Sequence, residues 1–101
     1  MARVPSERRW TVYILRCGDG SLYTGITDRL AERVARHGAG KGARYTRSRL
    51  PVQLVWARGR QTGTEARRLE HALKRQPRED KLRLVGGDDA VWRRLRRGLS
   101  G

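Results

Sequence analysis

Five polar side chains stand out because their spacing could bring them together. Tyr13 and Tyr23 lie on either side of a glycine-rich turn, in segments with the residue types of β-strands. Arg33 and His37 are four residues apart in a predicted helix and therefore share one of its faces. Glu70 lies on a later predicted helix, beside its apolar stripe. These residues either form an active site between a hairpin and two helices or are unrelated polar side chains.

The arginine and the glutamate each have a structural and a functional interpretation. Arg33 falls at the margin of the apolar arc made by Leu30 and Val34. An arginine at such a margin is held by a carboxylate, covers an anion-binding site, or packs its stem while its head reaches water. Glu70 would pair with Arg33 or another arginine, because an unpaired carboxylate is costly to bury. Alternatively it binds a metal, and one carboxylate with waters and a substrate phosphate suits Mg²⁺.

Composition limits the size of the domain and indicates a polyanionic partner. The chain has 101 residues, of which 37% are hydrophobic and none is Phe, so it can bury one small core. Its 24 Lys and Arg against 10 Asp and Glu give a formal charge of +14, which favours nucleic acid. The single cysteine, Cys17, excludes an internal disulfide and fits a reducing compartment. With neither a signal-peptide pattern nor a membrane-spanning run, we expect a soluble cytoplasmic protein.

The elements that must position the polar side chains begin with a hairpin. Residues 10–17 and 21–27 are rich in β-branched and aromatic residues, and a turn separates them. Asp28 is placed to cap a helix over residues 29–37. A glycine-rich, basic loop over residues 38–49 follows this helix.

Residue patterns in the second half of the chain predict one more strand and two more helices. A strand over residues 52–57 follows Pro51. Thr62 and Glu65 have the spacing of a capping box, which predicts a helix to about Gln76. A further short helix begins at the next proline and ends at a glycine pair.

The order ββαβαα predicts an α+β fold, with a small three-stranded, mainly antiparallel sheet flanked by helices. We expect three parts in the chain: a disordered basic lead-in at 1–9, the folded domain at 10–85 and a basic C-terminal tail at 86–101.

The glycine-rich loop offers basic and aromatic side chains to a nucleic acid. Lys41, Arg44 and Arg47 are candidates for phosphate contacts, or else they lie in a mobile, solvated loop. Tyr45 either stacks on a base or packs against the domain. Trp92, in the predicted tail, either docks on the domain or contacts DNA.

Two tyrosine motifs, Thr11-Val12-Tyr13 and Tyr23-Thr24-Gly25, precede an Arg–His helix and a later helix with a glutamate. This combination resembles the GIY-YIG nuclease superfamily, most closely its small, stand-alone bacterial members. The glycine and isoleucine of the first motif are replaced here, and the middle residue of the second motif is Thr. The resemblance covers residues 10–85.

The resemblance implies a role for each of the five residues in phosphodiester hydrolysis. Tyr13 and Tyr23 match the motif tyrosines, one of which accepts or relays a proton of the attacking water. Arg33 would bind phosphate oxygens and stabilise the growing charge. Glu70 would hold Mg²⁺ or Mn²⁺. His37 would shuttle a proton or contact the phosphate.

The resemblance therefore implies a metal-dependent endonuclease that cuts DNA. Selection of branched or otherwise unusual DNA, in repair or recombination, is expected because no recognition domain is appended. RNA stays open as a substrate, and we expect a monomer. The alternatives are a non-catalytic nucleic-acid-binding protein with the same fold, and a basic adaptor that acts with another subunit.

The resemblance also predicts the geometry of the hairpin turn. Family active sites place both tyrosines on one face of the sheet, and side chains alternate along a strand. A three-residue loop at 18–20 would pair Tyr13 with Gly25 and meet this condition, whereas a two-residue loop would not. We therefore predict the odd-length loop or a bulge, with Gly20 at positive φ and open space for a phosphate above Gly25.

Overall fold

Strands and helices alternate along the chain much as the residue patterns predict. The structure, a computed structural model, describes residues 6–99. A short 3-10 helix at Ser6–Arg8 is followed by β1 (Trp10–Arg16), β2 (Leu22–Thr27), α1 (Leu30–Gly38), α2 (Arg44–Arg47), β3 (Gln53–Gln61), α3 (Gly63–Lys74), α4 (Arg78–Val85) and α5 (Ala90–Gly98). The α+β class is confirmed, and α2 and α5 are additions to the predicted order.

β1 lies at the centre of the sheet, between β2 and β3, and pairs antiparallel with both. Val12, Tyr13, Ile14 and Leu15 are each at most 1% exposed. Four successive buried residues mean that both faces of β1 are covered, because neighbouring side chains point to opposite faces. The predicted three-stranded antiparallel sheet is confirmed.

The turn between β1 and β2 has the predicted odd length. Tyr13 pairs with Gly25 and Leu15 with Tyr23, so both tyrosines lie on one face of the sheet. The turn residue Gly20 has a φ of +84°, a conformation that glycine adopts without strain. The Asp19 carboxylate accepts hydrogen bonds from the amide and hydroxyl of the residue after Gly20, which closes the turn.

One face of the sheet carries the main hydrophobic core. Val12 and Ile14 pack with Trp56 of β3 and with α3, whose Leu69 and Leu73 are fully buried. Burial of such side chains contributes about 1.5–3 kcal/mol each, so this face provides most of the driving force for folding. The other face, with the two tyrosines, is left to α1 and α2.

The starts of two helices show one prediction confirmed and one wrong. At α3 the Thr62 hydroxyl accepts from the Glu65 amide and the Glu65 carboxylate accepts from the Thr62 amide, each at 3.0 Å, which is the predicted capping box. At α1 the predicted cap by Asp28 is absent. The Thr27 hydroxyl accepts from the Arg29 amide at 3.0 Å instead, because it lies two residues before the amide, where a local turn closes.

The predicted tail packs onto the domain in its described part. Trp92 of α5 is 8% exposed, and its ring meets Trp56 edge to face with centroids 5.1 Å apart. Arg58 of β3 donates to the Asp89 carboxylate immediately before α5, at 2.6 Å. Trp92 therefore docks on the domain, and the packed unit continues beyond residue 85.

Part of the lead-in predicted to be disordered at 1–9 is ordered against the domain. Ser6–Arg8 form a 3-10 helix, and Arg8 pairs with Glu65 at 2.9 Å. The remaining residues 1–5, like the end of the tail at residues 100–101, lie outside the described residues. Within the described part, no helix is long and apolar enough to cross a membrane.

Candidate active site

Tyr13 lies in the middle of β1, and its ring covers the backbone of Gly25 in β2. A Cβ atom at position 25 would come within 2.5 Å of the Tyr13 hydroxyl oxygen, so this close approach requires glycine. The predicted open space for a phosphate above Gly25 is therefore wrong. The missing side chain makes room for the Tyr13 phenol, which reaches across β2 towards α1.

His37, near the end of α1, is the residue that the Tyr13 phenol reaches. Its Nε2 atom lies 2.9 Å from the Tyr13 hydroxyl oxygen, and its Nδ1 atom lies 2.8 Å from the hydroxyl oxygen of Thr46. The His37 side chain is 0% exposed. Gly42 backs the ring so closely that a Cβ atom there would overlap it. His37 therefore has no ring nitrogen free to contact a phosphate.

Burial shifts the pKa values of both hydrogen-bonded groups towards their neutral forms. Removal from water, and then the nearby Tyr23, raise the pKa of Tyr13 to about 12, although Arg33 opposes the shift. Burial, followed by the charge of Arg33, lowers the pKa of His37 below its ordinary 6.5. At neutral pH the phenol is protonated and the imidazole is uncharged, so the imidazole can take up a proton.

Tyr23 and Tyr45 extend the aromatic cluster from His37 to the surface. The Tyr23 ring centroid is 5.2 Å from that of His37 and 6.0 Å from that of Tyr45, on which it stacks. Tyr45 is 37% exposed. The cluster packs the open side of the Tyr13–His37 pair with apolar ring surface and limits the access of water to it.

Arg33 supplies an uncompensated positive charge beside this pair. It is half-buried on α1, one turn before His37, and its charge acts on the pKa values of both Tyr13 and His37. Among residues 6–99 no carboxylate forms an ion pair with Arg33. Of the interpretations of Arg33, a carboxylate partner is therefore not found among the described residues, and two are left: a site for an anion, or a packed stem whose head reaches water.

Glu70 approaches the same site from α3. Its carboxylate contributes to the raised pKa of Tyr13, which places its negative charge near the phenol. Its side chain is 24% exposed, and Lys74 lies 3.6 Å away in a loose ion pair. Lys74 itself lies 6.0 Å from the centre of the Tyr23 ring. Glu70 is therefore accessible at the edge of the site and is not bound to Arg33.

The carboxylates near the site suit a metal ion that takes one or two protein ligands rather than an ion coordinated entirely by side chains. The described residues contain no group of three or more His, Cys, Asp or Glu side chains that could hold an ion. A single carboxylate such as Glu70 fits Mg²⁺, which takes few protein ligands and completes its shell with water and substrate phosphate.

Comparison with known proteins shows the family to which the chain belongs. The sequence model of the GIY-YIG catalytic domain family matches residues 9–83. The chain belongs to the GIY-YIG family. Tyr13, Tyr23, Arg33, His37 and Glu70 all lie within the matched segment.

Relatives of the chain are UPF0213 proteins of bacteria. A UPF0213 protein of Nitratidesulfovibrio vulgaris is 45% identical over 89 residues, which are 85% of this chain and 81% of the relative. A UPF0213 protein of Staphylococcus haemolyticus is 46% identical over 73% of this chain and 90% of its own length. The solution NMR structure of a UPF0213 protein from Bacillus halodurans has a TM-score of 0.51 and 41% identity, covering 82% of this chain and 88% of that one.

The loop after α1 supplies a residue that the sequence did not reveal. Thr46 of α2 is fully buried against His37, whereas Lys41, Arg44 and Arg47 around it are exposed. A threonine in a basic, glycine-rich stretch carries no sequence pattern that predicts burial. The structure explains its position, because Gly42 has no side chain and the loop can therefore pass close to the His37 ring.

Tyr45 has two neighbours packed on its ring in this GIY-YIG domain. Tyr23 stacks with the ring, and the Arg49 guanidinium carbon lies 3.8 Å above the ring centre. Arg49 is held in turn by the Asp19 carboxylate of the hairpin turn at 3.0 Å. Tyr45 therefore packs against the domain, and a base could stack on its ring only after Arg49 moved.

Proposed function

We propose that this protein is an endonuclease that hydrolyses phosphodiester bonds in DNA with the help of Mg²⁺ or Mn²⁺. Membership of the GIY-YIG catalytic domain family points to a nuclease. The observation that carries the proposal is the position of Arg33, a cation with no carboxylate partner in the described chain, close enough to the hydrogen-bonded Tyr13 and His37 to act on the pKa values of both. A phosphodiester is the anion that this set of groups could both bind and cleave.

Arg33 binds the scissile phosphate through its non-bridging oxygens. Its planar guanidinium offers several donors in a fixed geometry, which matches two phosphate oxygens at once. Because it is half-buried, its attraction for the charge that grows during attack is screened less than it would be in bulk water.

Tyr13 relays a proton from the attacking water to His37. With a pKa of about 12, the phenol cannot act as a ready-made phenolate at neutral pH. It therefore gives its own proton to His37 while it accepts one from water, and the resulting hydroxide oxygen bonds to phosphorus as the bond to the leaving oxygen breaks. His37 ends the step as a cation, which the bound phosphate offsets.

Glu70 would hold the metal ion, which supplies charge neutralisation at the phosphate and the leaving oxygen when bound. Tyr23 and Tyr45 then cover the His37 end of the relay with their rings. The formal charge of +14 brings nucleic acid to the protein. We propose branched or flapped DNA, of the kind met in repair, as the preferred substrate, because contacts to the phosphate backbone carry no sequence information and leave the shape of the DNA as the basis of selection.

The deciding experiment is cleavage of labelled duplex, single-stranded and branched DNA, and of RNA, by purified protein. Each substrate is incubated with Mg²⁺, with Mn²⁺ and with EDTA. Wild-type protein should cut at least one DNA substrate only with metal. Glu70→Gln should abolish cutting, and Arg33→Ala should slow it by about 10²–10³-fold, the usual loss for one charge-stabilising group.

Glu79→Gln is the matched control, since Glu79 is exposed on α4. It should cut like wild type. Binding of DNA by wild type and Glu70→Gln without cutting by either would favour the non-catalytic alternative. Neither binding nor cutting would favour an adaptor that needs another subunit.

A further inference from the structure

Thr46 lies behind His37, on the side opposite to Tyr13. Its side chain is 0% exposed, and its hydroxyl oxygen lies 2.8 Å from His37 Nδ1. The same hydroxyl donates to the backbone carbonyl of Ala43 at 3.0 Å. The only polar partners of this hydroxyl in the described chain are therefore one imidazole and one carbonyl.

The direction of the hydrogen bonds from Ala43 to Tyr13 follows from counting protons. A carbonyl oxygen can only accept a hydrogen bond, so the Thr46 hydroxyl donates its single proton to the Ala43 carbonyl. The oxygen of Thr46 must then accept from His37, which requires a proton on Nδ1. In an uncharged imidazole this leaves Nε2 without a proton, and Nε2 accepts from the Tyr13 hydroxyl.

The backbone holds Thr46 in place for this bond. Ala43 precedes α2, and its carbonyl accepts both from the Thr46 hydroxyl and from the Arg47 amide at 3.1 Å. Gly42, the next residue back, lies against the imidazole, where any side chain would overlap the ring. The short helix α2 and its approach thus fix both the position of the ring and the position of its acceptor.

We propose that Thr46 is a positioning residue that holds His37 in the tautomer with its proton on Nδ1. This role rests on the proposed function, since it keeps Nε2 ready to receive the proton that Tyr13 relays. In the other tautomer Nε2 would itself donate to Tyr13, and the phenol could no longer hand over its proton. Thr46 touches neither the substrate nor the attacking water; it acts through His37.

The test compares Thr46→Val with Thr46→Ser. Valine keeps the branched shape but lacks the hydroxyl, whereas serine keeps the hydroxyl. The tautomer of His37 is read directly from the ring-nitrogen chemical shifts in ¹⁵N-labelled protein. The chain has two histidines, so His71, which is exposed on α3, is an internal reference, and His71→Gln assigns the signals.

Wild type should show His37 with its proton on Nδ1. Thr46→Val should lose this pattern and lower kcat for DNA cleavage by about 10- to 100-fold, with KM and DNA affinity unchanged. Thr46→Ser should restore both the tautomer and most of kcat. A residue that served only to fill space would be replaced well by valine and poorly by serine.

Three results would overturn the inference: a wild-type His37 protonated on Nε2, an unchanged tautomer in Thr46→Val, or undiminished kcat in that variant. The wild-type spectrum decides even if Thr46→Val fails to fold. A wild-type protein that cuts no substrate would refute the proposed function alone, because the tautomer spectra are measured without substrate and still test the role of Thr46.

Discussion

Tyr13 joins two properties that rarely occur in one side chain: it is almost fully buried, and it is ionisable. At 1% exposure its phenol depends on His37 for a hydrogen bond, and its ring depends on Gly25 for space. Burial without that bond would leave an unsatisfied hydroxyl, which costs about 1–3 kcal/mol. The residue that makes the proton relay possible is thus also a structural element of the sheet.

The shifted pKa of Tyr13 makes the stability of the protein depend on pH in the alkaline range. The folded pKa of about 12 lies above the ordinary 10.0, so folding favours the protonated phenol. Its contribution is fully present below pH 10.0 and is lost as the pH rises towards 12, on the order of 2 kcal/mol in total. Urea unfolding of wild type and Tyr13→Phe at several pH values in this window measures the effect.

Phenylalanine cannot ionise, so Tyr13→Phe removes this pH dependence. The variant also loses the hydrogen bond to His37, but below pH 10 this loss changes the free energy of unfolding by a constant amount. We expect wild type to lose stability relative to Tyr13→Phe as the pH rises above 10. A difference between the two proteins that stays constant up to pH 12 would show that the phenol is more accessible to water than the structure indicates.

At the scale of elements, α3 connects the site to the core, and α5 packs on the same core. α3 begins at a capping box, buries Leu69 and Leu73 in the core, and carries Glu70 on the edge that faces the tyrosines. The position of Glu70 is therefore only as firm as the packing of α3. α5 packs on the same core through Val91 and Trp92.

This packing predicts that α5 contributes to global stability. Trp92→Ala should lower the free energy of unfolding by about 3–5 kcal/mol, because it leaves a cavity beside Trp56. Arg97→Ala, on the more exposed side of the same helix, should change it by less than about 0.5 kcal/mol. Urea denaturation of both variants is the measurement. Equal stabilities would mean that α5 frays independently of the domain.

At the scale of the whole molecule, charge is distributed over both faces of the sheet. The site lies on the face covered by α1 and α2, where Arg44 and Arg47 are exposed. α5, with Arg93 and Arg97 on its surface, belongs to the opposite, core-packed face. Net charge alone does not show which face binds nucleic acid. A nucleic acid bound at the proposed site would contact the arginines of α2 and not those of α5.

The salt dependence of DNA binding makes this distinction. Removing one arginine that binds a phosphate should reduce the slope of log affinity against log salt by about 0.9 on duplex DNA. Arg44→Ala/Arg47→Ala should therefore reduce the slope by up to about 2, whereas Arg93→Ala/Arg97→Ala, which removes the same charge, should leave it nearly unchanged. Fluorescence anisotropy titrations at several salt concentrations measure both slopes. Equal reductions in the two double variants would place the DNA elsewhere.

The sequence by itself determined the features that depend on neighbours along the chain. The capping box of α3 follows from a three-residue spacing. The hairpin register follows from alternation along strands once the family resemblance has placed both tyrosines on one face, because alternation alone allows two turn lengths. The i, i+4 relation of Arg33 and His37 is likewise local. The family motifs added the prediction that Glu70 belongs with these residues, although it is far along the chain.

Only the tertiary structure decided which groups meet across the fold. Thr46 is nine residues from His37, and the bond between them depends on how the loop returns over the ring. The absence of an ion pair at Arg33 within the described chain, and the Tyr13 ring above Gly25, depend on packing between separate elements. α5 illustrates the same limit, because the sequence left Trp92 either docked on the domain or in contact with DNA, and only its packing on Trp56 decides between the two. Such contacts are set by the positions of elements distant in sequence, which local patterns do not specify.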